Sequence, residues 1–167
     1  MLEIAVDADG EWDSSRSWDV LAKRAAEAAV AESAYPDLAD SGRLVEISFT
    51  LTNDEQVRAL NAEWRGKDKP TNVLSFPMAE ELDFTRATVD GRELLLGDII
   101  LAHGVCKAEA ERDRIPFEDH ACHLMVHGTL HLLGYDHGVE AEAAEMEARE
   151  VRALARLGIP SPYEVTA

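Results

Sequence analysis

The chain reads as a mixed α/β (α+β) domain, a small mixed four-stranded sheet flanked by about five helices. Three observations predict this. Short stretches of alternating or continuous apolar residues have the length and period of strands, and they are interleaved with longer stretches whose apolar residues recur at helical spacing. Third, the 167 residues contain no repeat, no low-complexity tract and no Gly/Ser linker, so residues 1–167 form one domain with a core of its own.

In chain order, Leu2–Val6 alternates like a short strand. From Ser17, an N-cap candidate, to Glu32 the chain is Ala-rich, with Trp18, Leu21, Ala25, Ala28 and Ala29 at helical spacing. Leu44–Leu51 predicts a half-buried strand, with Val45, Ile47, Phe49 and Leu51 on one side. Thr52, Asn53 and Asp54 supply capping chemistry for a helix to about Trp64, and Gly66 stops it. Val73–Phe76 is a short apolar strand between Pro70 and Pro77. The polar stretch from Ala79 to Arg92 predicts a loop or hairpin. Leu94–Ala102 follows as a strand interrupted by Gly97 and Asp98, and His103–Arg112 as a helix. A longer helix starts near Pro116 and runs to Leu133, where Gly134 ends it. The last helix spans about Glu140–Leu157, closed by Gly158 with Pro160 beyond.

Composition narrows the function. Sixteen basic and 33 acidic residues give a formal charge of -17, which opposes general, phosphate-driven adhesion to nucleic acid. Yet Arg58, Arg65, Lys67 and Lys69 fall close together, so a local basic groove remains available. Met1-Leu2-Glu3-Ile4 shows no signal-peptide pattern, and no apolar run is long enough to span a bilayer, which predicts a cytoplasmic protein with no membrane role. Cys106 and Cys122 lack CxxC partners and read as small packed thiols in a reducing compartment.

The segment from His127 to His137, HGTLHLLGYDH, holds the most chemistry. His127 and His131 are four residues apart and project from one helix face one turn apart, so two imidazoles can meet one metal ion. Gly134 ends the helix and lets the chain turn back to deliver His137 as a third ligand. Three nitrogen donors predict one Zn²⁺ per chain with its fourth position open, the arrangement of a catalytic site. The spacing matches the metzincin protease pattern, except that Gly128 stands where those enzymes carry the glutamate base. The predicted chemistry is therefore hydrolysis by metal-activated water without that helper, and phosphodiester cleavage fits. His123, one turn back on the same face, reads either as a group behind the metal ligands or facing the substrate, or as a packed or capping histidine. Asp136 is either a ligand-orienting carboxylate or a turn former.

The second informative segment is WRGKDKPTNVLSFP, from Trp64 to Pro77. Arg65 ends a helix, and its planar guanidinium suits bidentate phosphate binding; taken alone, a helix-end cation complementing the macrodipole has the same sequence signature. Together with Leu96-Gly97-Asp98-Ile99 and the run His123–His137, this segment resembles the YbeY family of bacterial endoribonucleases involved in ribosomal RNA maturation. The match covers about Leu44 to Tyr163, and its most specific part is the histidine motif with Gly128.

The resemblance implies that His127, His131 and His137 bind zinc, with His127 and Arg65 catalytic. It implies a single-stranded rRNA substrate, a role in 16S rRNA 3′-end maturation and ribosome quality control, and a cytoplasmic location. The small ribosomal subunit and its associated proteins are the expected partners; DNA is not. Arg65, with Lys67 and Lys69, is the expected phosphate-binding set. Two rivals stand beside this reading. A ribosome-assembly factor with a structural metal suits the charge of -17. A zinc peptidase needs a carboxylate near the metal, for which Asp98 and Asp136 are the candidates.

Overall fold

A computed structural model describes residues 1–13, 16–40, 42–86, 93–136 and 138–163. Strands β1 (Leu2–Ala8), β2 (Val45–Thr52), β3 (Val73–Pro77) and β4 (Leu94–Ala102) form one sheet in the order β1-β2-β4-β3. The first two pairings are parallel and β3 runs antiparallel to β4, so the sheet is mixed as expected. Helices α1 (Trp18–Ala31), α2 (Asp54–Arg65), α3 (Glu81–Arg86), α4 (His103–Asp113), α5 (Phe117–Leu132) and α6 (Glu140–Arg156) surround it. There are thus six α-helices among the described residues. The sixth is the short α3, in the stretch that the sequence predicts as loop or hairpin. Its six residues offer no apolar stripe, but Phe84 is buried and stacks on Tyr35 with ring centroids 4.9 Å apart. Tertiary packing, not local pattern, sets it.

Strand alternation divides the core into two layers. Ile47, Phe49, Leu51, Ile99 and Leu101 belong to the main core with α1, α5 and α6. Leu74, Ile100 and Ala102 face the other way, with Val57 of α2. The alanines of α1 (Ala22, Ala25, Ala26, Ala29) are fully buried, and their small side chains let the helix lie close to its neighbours.

Helix ends follow the sequence signals closely. Asn53 caps α2 by accepting from the Gln56 amide at 2.8 Å, and Gly66 closes it at φ 68°. Pro116 sits just outside α5, one position earlier than a first-turn proline. Ser17 occupies the N-cap of α1 but makes no side-chain capping bond.

Two close approaches bring α5 against the sheet beside β3. A Cβ at Gly97, at φ 147°, would stand 2.8 Å from Leu132 Cδ2 of α5, as well as 2.3 Å from the Phe76 carbonyl oxygen of β3. A Cβ at Gly128 would stand 2.8 Å from Ile99 Cγ2 and 3.2 Å from Ser75 Oγ. Position 128 therefore has no room for the glutamate of the protease pattern: it faces the sheet.

Candidate metal centre and cationic cleft

His127 and His131 emerge from α5 into a cleft of about 690 Å³ that runs beside the edge strand β3. Their Nε2 atoms face each other 3.1 Å apart, with ring centroids 4.6 Å apart. Behind them lies a group that the sequence analysis missed. His127 Nδ1 donates to Glu150 Oε1, from the buried face of α6. The Tyr163 hydroxyl donates to the other oxygen, Oε2, and His123 Nε2 lies 3.2 Å from that hydroxyl.

Glu150 has 0% exposure and shares the buried stripe of α6 with Met146, Ala153 and Leu154. Burial pushes its carboxyl upward in pKa. The imidazoles of His123 and His127 and the Tyr163 hydroxyl outweigh that and hold it down at about 2, so it is a carboxylate. The same burial, with the neighbouring carboxylate, raises the Tyr163 phenol. An acid inside the apolar stripe of an amphipathic helix was the signal available in the sequence. Its partner, 23 residues earlier in the chain, was not.

The arrangement fits a metal in a specific way. A nitrogen that donates to a carboxylate fixes the tautomer, so His127 presents an unprotonated Nε2 to the cleft. Two nitrogens on one tetrahedral zinc, each bound at about 2.0–2.1 Å, stand roughly 3.3 Å apart, close to the observed 3.1 Å. His137, the third expected ligand, lies outside the described residues. Among those described, no three His, Cys, Asp or Glu side chains gather as a metal-holding group.

The same cleft is lined by Arg65, Lys67 and Lys69, which brings the two informative sequence segments together. Arg65 donates to the Ser75 carbonyl oxygen at 2.8 Å and lies 5.8 Å from the centre of the Phe76 ring. The residue is exposed, but its guanidinium lies back against β3 and is not merely a solvated helix-end charge. Arg58 does not join this set: its guanidinium is paired with Glu55 and Asp68.

The two carboxylates of the peptidase reading part company. Asp136 lines the cleft. Asp98 neighbours Ile99, which touches α5, so strand alternation turns Asp98 to the opposite side of the sheet. His123 lies behind His127 in the Tyr163 network, with ring centroids 6.3 Å apart. His120 pairs with Glu109 at 2.9 Å, and Glu109 also accepts from Asn72, whose residue lines the cleft. Both cysteines are free and buried, as expected of packed thiols, and burial lifts the Cys122 thiol to about 12.

Fold and cleft together define a small α/β protein whose cleft is lined by paired imidazoles and by cations. A family model described as Endoribonuclease YbeY matches residues 9–158. An Endoribonuclease YbeY of Rhizorhabdus wittichii is 49% identical, covering 99% of each chain. Another, from Novosphingobium aromaticivorans, is 51% identical over 97% of this chain and 96% of its own. The solution structure of TM1509 from Thermotoga maritima has the same fold, with a TM-score of 0.56 at 22% identity over 98% of this chain and all of that one. The chain belongs to the endoribonuclease YbeY family.

Proposed function

We propose that the protein is a zinc-dependent endoribonuclease that cleaves single-stranded rRNA, acting in 16S rRNA 3′-end maturation and ribosome quality control. One observation carries this reading: His127 and His131, whose Nε2 atoms stand 3.1 Å apart, line the same cleft as Arg65, Lys67 and Lys69. The one cleft thus offers donors for a metal and cations for a phosphate. Family membership and the names of the relatives support the ribonuclease part.

In this reading His127, His131 and His137 hold one zinc ion, which supplies Lewis acidity and activated water beside the scissile phosphate. Glu150 keeps His127 in the tautomer that leaves Nε2 available. Arg65 binds the phosphate and stabilises the charge that grows on its oxygens in the transition state. Its bond to Ser75 O and its place over Phe76 hold the guanidinium in position, so little is lost in ordering it. Lys67 and Lys69 hold the flanking backbone as point charges. Trp64 is 66% exposed beside Arg65, where an aromatic face can stack on an unpaired base. That feature favours single strands over duplex, whose bases are already stacked.

The cationic lining also resolves the objection raised by a charge of -17. Attraction for RNA is confined to the cleft, and the acidic remainder suppresses indiscriminate binding. The acidic surface also suits docking to proteins of the small ribosomal subunit, in the cytoplasm. Among the described residues no helix is long and apolar enough to cross a membrane.

The test is cleavage of a single-stranded RNA carrying the 16S 3′ region. Wild type, chelator-stripped protein, Arg65→Ala and His131→Ala are compared. The reading expects cleavage that is lost on stripping, restored by zinc, and abolished in both variants. Equal cleavage by all four samples, or none by zinc-loaded wild type, would overturn it in favour of a ribosome-assembly factor.

A further inference from the structure

Glu150 is a misfit in its own helix. Its neighbours on the buried stripe are Met146, Ala153 and Leu154, and an ionisable side chain with 0% exposure is seldom tolerated there unless its oxygens are fully engaged. They are engaged, and the donors are informative. Oε1 takes the Nδ1 hydrogen of His127, and Oε2 takes the Tyr163 hydroxyl. Tyr163 stands seven residues beyond the end of α6, past Pro160 and Pro162. Its ring packs edge-on against His123, with centroids 5.6 Å apart and planes at 89°. The ring remains 42% exposed while its hydroxyl reaches the buried carboxylate. A stretch with little packing of its own is thus tied to the back of the histidine pair.

We propose that Glu150 and Tyr163 are positioning residues for the imidazole pair. Glu150 fixes His127 with Nε2 toward the cleft, and Tyr163 latches Glu150 in the orientation that does so. The proposal rests on the metal-binding reading of the cleft but concerns groups that touch neither metal nor substrate. It follows from hydrogen-bond accounting. A carboxylate with one oxygen satisfied by His127 alone can swing about its terminal torsion, whereas a second donor on the other oxygen fixes its plane. The imidazole inherits that order, as ligand histidines do from their outer partners.

Two measurements on the full chain test this. The first needs no metal: long-range ¹H–¹⁵N correlation spectra of the histidine rings in the metal-free protein. Wild type is expected to show His127 as the Nδ1–H tautomer, and Glu150→Gln to redistribute it towards Nε2–H. The second is zinc affinity by competition with a chromophoric chelator. Glu150→Gln is expected to bind about 10–100-fold more weakly. Tyr163→Phe, which keeps the ring packing and loses only the hydroxyl, is expected to bind several-fold more weakly while the metal-free protein still unfolds cooperatively, at a melting temperature somewhat lowered by the lost hydrogen bond. Should Glu150→Gln fail to fold, Tyr163→Phe decides the matter. Wild-type affinity in Tyr163→Phe, or an Nε2–H tautomer in metal-free wild type, would overturn the proposal. A correct tautomer in a wild type that takes up no zinc would instead sink the metal reading, and the metal-positioning role with it.

Discussion

Helix α5 carries two histidine–carboxylate pairs, and they use the imidazole in opposite ways. His127 gives Nδ1 to Glu150 and turns Nε2 to the cleft and to His131. His120 gives Nε2 to Glu109, and its Nδ1 is buried with no hydrogen-bond partner among the described residues. The second pair ties α5 to α4 and, through Asn72, to the start of β3. It has no nitrogen left that a ligand could reach. The difference teaches that a histidine–glutamate pair is not a site in itself: which nitrogen the carboxylate takes decides whether the ring can bind anything else.

Removing ligands from the two pairs should separate them most sharply. His131→Ala or His127→Ala should abolish zinc binding and lower cleavage by at least about 10³-fold, as expected when the metal is lost. His120→Ala should leave zinc affinity within about threefold and cost roughly 1–3 kcal/mol of stability through the unpaired Glu109 and the lost packing. Chelator competition and chemical denaturation read the two effects. A loss of zinc in His120→Ala as large as in His131→Ala would erase the distinction.

Next in size is Gly128→Glu, which restores the protease pattern on paper. Because that position faces Ile99 and Ser75, the charge has no aqueous exit, and the variant should lose on the order of 3–5 kcal/mol without gaining peptidase activity. A stable variant that cleaves peptides would show that α5 presents another face to the cleft.

The cations of the cleft give the third contrast. Arg65→Ala should lower kcat by about 10²–10³-fold, the effect of removing one preorganised transition-state donor. Lys67→Ala and Lys69→Ala should mainly raise KM by a few-fold and flatten its salt dependence. Trp64 offers a spectroscopic check, since Trp12 and Trp18 are buried and Trp64 is not. Single-stranded RNA should quench tryptophan fluorescence, and Trp64→Phe should remove most of that quenching.

The smallest effect concerns how α6, and Glu150 with it, is held to α1. The Glu32 carboxylate accepts from Arg156 and Arg152, and the Arg156 bond foremost lowers its pKa below the ordinary 4.5. A depressed carboxyl contributes stability that is full above its unfolded pKa and is lost as pH falls through the folded one. Wild type should therefore lose more stability than Glu32→Gln on acidification from about pH 5 to 3. Parallel slopes in an acid titration of unfolding would remove Glu32 from the account. The exposure of Arg152 and Arg156 keeps the expected difference small.

Much of this was legible in the residues, for physical reasons that also mark where legibility ended. The alternation of Val45, Ile47, Phe49 and Leu51 can serve only a strand with one buried side, and Asn53 and Gly66 mark helix ends through their own local chemistry. The four-residue step from His127 to His131 fixes a shared face as soon as the stretch is helical. In contrast, α3 owes its place to Tyr35 and Phe84, which are far apart in sequence. Glu150 was missed: it is one charge in an apolar stripe, and nothing local says that α6 lies against His127. Gly128 was read as a missing base; the structure adds that no side chain fits there.

The central claim is that the paired nitrogens of α5 and the turn beyond it hold zinc in a site with an open position. X-ray absorption at the zinc edge of the loaded protein tests it most directly. The account predicts a shell of three imidazole nitrogens at about 2.0–2.1 Å plus one light-atom donor, lost in His131→Ala. A shell containing sulfur, or one unchanged in His131→Ala, would place the metal elsewhere and contradict the account.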